Sequence, residues 1–162
     1  MKINIVVPMA GAGSRFANAG YNEPKPFIDV MGKPMIGRIL ENLVCNNGRY
    51  ILIPRQEHLH KVKELVTKIE NEFNAVFHPI GHLTEGAVCT VLHARQFINN
   101  DEPLIIANSD QIVDIIFQDF VDDCMERDLD GSIMTFKDPE KNTKWSFARI
   151  DSSGLVVEVR EK

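Results

Sequence analysis

This chain of 162 residues has fewer basic than acidic residues. It contains 18 Lys and Arg and 23 Asp and Glu, and its formal net charge is −5. This balance argues against a protein that coats nucleic acid or docks on an anionic membrane, so we expect neither as a partner. It does not exclude the binding of a single nucleotide, because a local group of backbone N–H donors and a few cations is enough to hold phosphates.

Paired cysteines and long apolar runs are also missing. The three cysteines, Cys45, Cys89 and Cys124, are far apart and form no CxxC pair, which fits a reducing compartment better than a disulfide framework. The apolar run at residues 3–7 is too short for the core of a signal peptide and far too short to cross a bilayer. We therefore expect a cytoplasmic protein.

Short β-rich runs alternate with longer helical patterns along the chain. Strands are predicted at residues 3–7, 50–53, 75–77, 104–107, 132–136, 147–150 and 156–160. Helices are predicted at residues 34–44, 56–73, 84–97 and 114–127, with a short one starting near residue 14. This alternation indicates an α/β fold, a Rossmann-like three-layer sandwich with a mostly parallel sheet. Such sheets bind ligands beyond the carboxyl ends of their strands, so the loops after Val7 and Ala107 are the places to look for a site.

The loop after the first strand is rich in small residues, since residues 8–16 read PMAGAGSRF. Gly11 and Gly13 lack Cβ atoms, which lets successive N–H groups turn toward an anion. Arg15 adds a permanent cation suited to phosphate. A dinucleotide fingerprint would need glycine in place of Phe16, and the Gly-Lys-Ser/Thr of a Walker loop is absent. An ordinary glycine-rich turn with a surface arginine is the alternative.

A single lysine follows between two prolines, in the segment EPKPF at residues 23–27. Pro24 and Pro26 restrict the backbone on both sides of Lys25. A stiff segment that carries one cation is suited to directing charge at one phosphoryl group, although a rigid turn would explain these three residues equally well.

Together, GAGSRF at residues 11–16 and PKPFIDVMGKPMI at residues 24–36 resemble the signature of the sugar-1-phosphate nucleotidyltransferase family. The resemblance implies the nucleotide-diphospho-sugar transferase type of fold and a reaction between an NTP and a sugar-1-phosphate that releases pyrophosphate. It also implies two catalytic cations, Arg15 and Lys25. The nucleotide-binding residues that it implies in the first loop are Ala10, Gly11, Ala12 and Gly13.

A metal ligand is implied by LIIANSD at residues 104–110, which resembles the family's strand that ends in an Asp holding the catalytic Mg²⁺. Asp110 occupies the matching position, and Ser109 replaces the glycine that usually precedes it. Mg²⁺ prefers oxygen ligands and is commonly held by one or two carboxylates together with substrate phosphates. The alternative role for Asp110 is a helix cap or a turn.

The nucleobase contact is implied by LTEGA at residues 83–87, where Gly86 matches the glycine that lets the base lie against the backbone. Family members that select thymine or uracil often have a glutamine a few residues earlier, but residues 78–82 read HPIGH. The identity of the base therefore stays open, with His82 as a candidate replacement for the glutamine.

The end of the chain resembles the part of the family that contacts the sugar, with WSFARI at residues 145–150 and VEVREK at residues 157–162. Glu161 and Lys162 match the pair that reaches the sugar and its phosphate. Family members continue beyond this point with a second metal-binding Asp. We therefore expect residues 1–162 to form a single nucleotidyltransferase-like domain that is truncated at its C-terminus.

The predicted function is thus an Mg²⁺-dependent nucleotidyltransferase, which the family resemblance links to surface-polysaccharide biosynthesis. One alternative is a cytidylyltransferase that acts on a non-sugar phosphate such as phosphocholine, and another is a catalytically silent NTP-binding module. A glycosyltransferase is disfavoured, because those enzymes generally bind their metal with a pair of carboxylates. Residues 108–110 offer only one carboxylate, that of Asp110. The predicted partners are an NTP and a sugar-1-phosphate or other phosphorylated small molecule. A homo-oligomer is left open.

Overall fold

The structure is a computed structural model that describes residues 1–140 and 142–161. It divides into two compact units, Met1–Val121 and Asp122–Lys162. The single domain over residues 1–162 stays a prediction.

The first unit contains most of the secondary structure. Its elements are, in chain order, β1 (Ile3–Met9), α1 (Ser14–Asn18), a 3₁₀ helix (Lys25–Phe27), β2 (Asp29–Val30), β3 (Lys33–Pro34), α2 (Met35–Asn42), β4 (Gly48–Pro54), α3 (Gln56–Leu59), α4 (Lys63–Phe73), β5 (Ala75–Phe77), α5 (Ala87–Leu92), α6 (Arg95–Ile98) and β6 (Leu104–Ile106). The helix α7 (Phe117–Glu126) begins in this unit.

Four strands form a parallel sheet in the order β5-β4-β1-β6. At the centre of the sheet, Val6 of β1 is paired with Ile51 of β4 on one side and with Ile106 of β6 on the other. The chain first builds the sheet outward from β1 to β5 and then returns to add β6 on the opposite side of β1. This reversal places a topological switch point between β1 and β6, where open parallel sheets bind their ligands.

Both faces of the sheet are covered by helices. On one face, Val6 and Ile51 pack in a buried cluster with Val91 of α5 and with Ala94. Neighbouring strand residues point to the opposite face, where the Tyr50 hydroxyl donates a 2.9 Å hydrogen bond to the carbonyl oxygen at the end of α2. The α2 side chains Ile36, Ile39 and Leu40 are fully buried. The predicted α/β fold with a mostly parallel sheet is confirmed.

Two predicted helices are each split into a pair of shorter helices. The pattern at residues 56–73 forms α3 and α4, and the break lies at Val62, whose φ of −130° is not helical. The pattern at residues 84–97 forms α5 and α6. An apolar stripe tolerates such a break, because two short helices in sequence bury the same side chains as one long helix.

The strand predicted at residues 132–136 is wrong, because the structure has no regular secondary structure there. Ile133 and Phe136 are 51% and 67% exposed. A strand forms only where a second strand can pair with it through backbone hydrogen bonds. The local apolar pattern at residues 132–136 does not show whether such a second strand lies nearby.

The second unit contains the antiparallel hairpin of β7 (Phe147–Ile150) and β8 (Val156–Arg160). Its turn is held by the Asp151 carboxylate, which accepts hydrogen bonds from the backbone N–H groups of Ser153 (2.9 Å) and Leu155 (3.0 Å). The Ser153 hydroxyl, followed by the backbone donors, lowers the pKa of Asp151. Among the described helices, none is long and apolar enough to cross a bilayer.

Candidate active site

The loop after β1 is shaped by Gly13, which precedes α1. Its φ of +61° lies in the left-handed region, which disfavours any residue with a side chain. A Cβ on Gly13 would also lie 3.3 Å from the Cβ of Lys25. Gly11 differs, since a Cβ there would meet nothing within 4 Å. The loop therefore needs glycine at position 13 to bring its backbone against the lysine segment.

Lys25 is held by a short and rigid segment. The 3₁₀ helix is closed by a 2.8 Å hydrogen bond from the Phe27 N–H to the carbonyl oxygen of Pro24. The Lys25 side chain is 23% exposed, and its ammonium nitrogen lies 5.6 Å from the centroid of the Phe16 ring. The same ammonium donates a hydrogen bond to the carboxylate of Asp110, with which it forms an ion pair.

Asp110 follows the end of β6, next to β1 across the switch point. The ladder continues one step beyond β6, since the Ala107 N–H donates a 3.0 Å hydrogen bond to the Val6 carbonyl. The Asp110 side chain is 44% exposed. Within the described residues, no group of three or more His, Cys, Asp or Glu side chains is arranged to hold a metal ion.

A cavity of about 440 Å³ lies between these segments, at the carboxyl end of the sheet. Seven of the predicted site residues line it: Ala10, Gly11, Gly13, Arg15, Lys25, Gly86 and Asp110. Arg15 is exposed and has no ion-pair partner in the described part of the chain. The cavity thus gathers two cations, one carboxylate and the glycine-rich loop from segments that are up to about a hundred residues apart in sequence.

Among the described residues of the first unit, Ala12 and His82 are not among those that line the cavity. Ala12 is exposed on the loop, and His82 is exposed with its ring centroid 5.3 Å from that of His93. Glu161 is exposed after β8 in the second unit. Lys162 lies outside the described residues. The roles predicted for these residues stay predictions.

Two threonines that we did not predict as site residues also line the cavity. The hydroxyl oxygens of Thr84 and Thr90 are 2.6 Å apart, and Thr90 is only 3% exposed. Both hydroxyls also lie within hydrogen-bonding distance of the Gly86 carbonyl oxygen, at 3.2 and 3.3 Å. These contacts hold the segment around Gly86 at the start of α5. Thr90 lies four residues after Gly86, the spacing at which a threonine hydroxyl can bond to the carbonyl oxygen one helical turn earlier, and this spacing was the available signal.

A Cβ on Gly86 would meet nothing within 4 Å, and the backbone there is extended, with φ near −180°. Glycine is therefore not required at this position by the fold of the free protein. The space beside its backbone is open on the cavity, which is what the flat face of a base would need.

Known proteins resemble this chain in sequence and in fold. Among curated proteins, the chain is 24% identical over 160 residues to the bifunctional protein GlmU of Methanocaldococcus jannaschii, covering 99% of the chain and 36% of that protein. It is 25% identical over 163 residues to the mannose-1-phosphate guanylyltransferase catalytic subunit beta of Drosophila melanogaster, covering 97% of the chain and 43% of that protein. The chain thus spans less than half the length of these relatives.

Solved structures share the fold. The nucleoside-diphosphate-sugar pyrophosphorylase of Vibrio cholerae RC9 superposes with a TM-score of 0.75 at 22% identity, over 98% of this chain and 66% of that one. The inositol-1-phosphate CTP transferase of T. maritima superposes with a TM-score of 0.66 at 15% identity, over 98% and 63%. A family model described as nucleotidyl transferase matches residues 5–162. The chain therefore belongs to the nucleotidyl transferase family.

Proposed function

We propose that this chain provides the nucleotide-binding site of an enzyme that transfers a nucleotidyl group from an NTP to a sugar-1-phosphate and releases pyrophosphate. The observation that supports it most strongly is the cavity at the switch point, which is lined by the glycine-rich loop, Arg15, Lys25 and Asp110. We place the reaction in surface-polysaccharide biosynthesis on the family resemblance alone.

The polyphosphate of the NTP is bound by the loop after β1. Gly11 and Gly13 present backbone N–H groups that no Cβ shields, and Arg15 adds an exposed guanidinium on the same wall of the cavity. Arg15 stabilises the charge that builds on the departing pyrophosphate. Its lack of a described ion-pair partner supports this role, since no protein carboxylate has to be displaced from it.

The base lies against Gly86, because the space beside that backbone is open. Thr84 and Thr90 fix this segment through their shared hydrogen bond and their contacts with the Gly86 carbonyl oxygen. Thr84 is the less buried of the two residues, and we assign its hydroxyl a polar contact with the base edge. Hydroxyl groups both donate and accept hydrogen bonds, and this leaves the choice of base to be measured.

The chemical step is an in-line displacement at the α-phosphorus. An oxygen of the sugar phosphate forms the new P–O bond as the bond to pyrophosphate breaks, and no general base is needed because that oxygen is already ionised. Both reactants are anions, so catalysis consists mainly of positioning and charge neutralisation. Lys25 neutralises phosphoryl charge near the reacting phosphorus. The family resemblance alone assigns the sugar and its phosphate to Glu161 and Lys162.

Asp110 is the protein ligand for Mg²⁺ in this proposal. Its half-exposed carboxylate in the cavity fits a metal that is bound through one carboxylate together with phosphate oxygens and water. When bound, the metal supplies Lewis-acid stabilisation of phosphate charge.

Pyrophosphate release is the direct test. Each of the common NTPs is incubated with a panel of sugar-1-phosphates, phosphocholine and inositol-1-phosphate in the presence of Mg²⁺, and release is measured with a coupled assay. We expect release with one NTP and one sugar-1-phosphate. The same assay is run on Arg127→Ala, which removes an arginine that is paired with Asp123 on the surface of α7. This variant should keep the release measured for the wild type.

The other outcomes identify the alternatives. Release only with CTP and a non-sugar phosphate would make the protein a cytidylyltransferase. The inositol-1-phosphate CTP transferase of T. maritima has the same fold. Binding of an NTP with no release for any acceptor would indicate a silent binding module. Absence of NTP binding would overturn the proposal altogether.

A further inference from the structure

We infer that Lys25 is paired with the Asp110 carboxylate in the free protein, so that a divalent cation binds weakly by itself and tightly only together with a polyphosphate that draws Lys25 away. The inference rests on the proposed role of Asp110 as the metal ligand. It concerns how that site is loaded, which the family assignment does not determine.

The ion pair is the first observation. The Lys25 ammonium contacts Asp110 directly, and both side chains line the cavity. Within the described residues, Lys25 forms an ion pair with no other carboxylate and Asp110 with no other cation. A bare metal ion approaching Asp110 would therefore meet a carboxylate that is already neutralised, with an ammonium group beside it.

The second observation is that Lys25 lies beside the phosphate loop. Its Cβ is 3.3 Å from the position that a Cβ on Gly13 would take, and its backbone belongs to the 3₁₀ helix described above. The Phe16 ring, whose centroid is 5.6 Å from the ammonium, offers a second attractive surface inside the cavity. An ammonium that leaves Asp110 therefore remains within the site.

These two observations define an exchange of partners. A polyphosphate bound at the loop carries more negative charge than one carboxylate, so it attracts the ammonium away from Asp110. The freed carboxylate then faces the metal that the polyphosphate brings. Each step joins opposite charges, whereas binding of the metal alone would bring a divalent cation close to Lys25. The site therefore accepts the metal–nucleotide complex as one ligand.

Direct measurement of metal binding without nucleotide tests the inference. Mn²⁺ is titrated into the protein and the free aqueous ion is followed by electron paramagnetic resonance. Lys25→Met is expected to bind Mn²⁺ about tenfold more tightly than the wild type, because a charge that repels a divalent ion at short range has been removed. Lys25→Gln should give the same gain, and the double variant Lys25→Met/Asp110→Asn should lose it.

A matched control comes from a second lysine–carboxylate pair. Lys33 is paired with Glu41 outside the cavity, and Arg38 still contacts that carboxylate at 3.5 Å. Lys33→Met should therefore leave Mn²⁺ affinity unchanged. Circular dichroism and a cooperative unfolding transition verify that each variant is folded.

Equal Mn²⁺ affinity in the wild type and both Lys25 variants would overturn the inference. No detectable binding by either variant, or a gain that survives the loss of Asp110, would overturn it as well. The assay requires no turnover, so a protein that releases no pyrophosphate could still show the predicted gain. Conversely, an active enzyme could fail this test alone.

Discussion

Gly13 and Lys25 lie so close together that a Cβ on Gly13 would be 3.3 Å from the Cβ of Lys25, at a position whose φ is +61°. The glycine that shapes the phosphate loop is therefore also the residue that allows the lysine segment to approach. Position 13 therefore requires glycine for two reasons: its backbone is left-handed, and the Lys25 side chain lies too close for a Cβ.

Gly13→Ala is expected to destabilise the protein by about 1–2 kcal/mol, because a left-handed conformation is costly for any residue with a Cβ. It should also weaken NTP binding, since Lys25 has to shift. Urea unfolding measures the first effect and calorimetric titration the second. Gly11→Ala is the control on the same loop, and its stability should stay within about 0.5 kcal/mol of the wild type. Equal destabilisation by both substitutions would contradict the argument.

Arg15→Ala and Lys25→Ala should each lower kcat for pyrophosphate release by on the order of 10²–10³, the scale for losing one electrostatic stabiliser of a transition state. Both side chains line the cavity, whereas the control Arg127 pairs with Asp123 on an exposed helix face. Steady-state kinetics at saturating NTP gives the comparison. Turnover close to that of the wild type in either variant would remove that residue from the catalytic role.

The central sheet could be predicted from sequence because its strands are locally distinctive. Residues 3–7 are apolar except for Asn4 and form most of β1, and the apolar residues 50–53 form the centre of β4; both strands bury most of their length. The strand predicted at residues 132–136 has the same kind of local pattern but lies outside any sheet. Strand formation depends on a partner that is distant in the chain, and a local pattern does not contain that information.

In the site, too, local motifs could be predicted from the sequence, whereas contacts between distant residues could not. The glycine loop and the lysine between two prolines are local motifs, so both could be predicted. The ion pair between Lys25 and Asp110 joins residues 85 positions apart, and no spacing rule connects them. The hydrogen bond between Thr84 and Thr90 was missed for a different reason, since threonine near a helix start is most often a local cap rather than part of a cavity wall.

Thr90→Val is expected to destabilise the protein by about 0.5–1.5 kcal/mol, because it removes a hydroxyl that is buried and hydrogen-bonded while keeping the shape of the side chain. A double-mutant cycle with Thr84→Val should show coupling between the two positions. Thr67→Val is the control, since the Thr67 hydroxyl is exposed and its one hydrogen bond to a described residue is to the carbonyl one helical turn earlier. Additive effects at Thr84 and Thr90, measured by urea unfolding, would show that the two hydroxyls act independently.

Stability should decrease on mild acidification because of His58. Burial lowers the pKa of His58 from its ordinary value of 6.5, and the charge of Arg55 lowers it further, with Glu57 acting in the opposite direction. Its Nδ1 is buried and has no hydrogen-bond partner among the described residues. The folded protein therefore keeps this imidazole neutral at pH values where the unfolded chain protonates it.

The sign follows from proton linkage: where the unfolded state binds more protons, the free energy of unfolding falls as the pH falls. The contribution of His58 is fully present above its ordinary pKa and is lost as the pH drops from there toward its lower folded value. Urea unfolding between about pH 7.5 and 5.5, where most carboxylates stay ionised, should show this decline. His58→Leu should flatten it, whereas His60→Leu, at an exposed position, should leave it intact. An unchanged slope in His58→Leu would assign the decline to other groups.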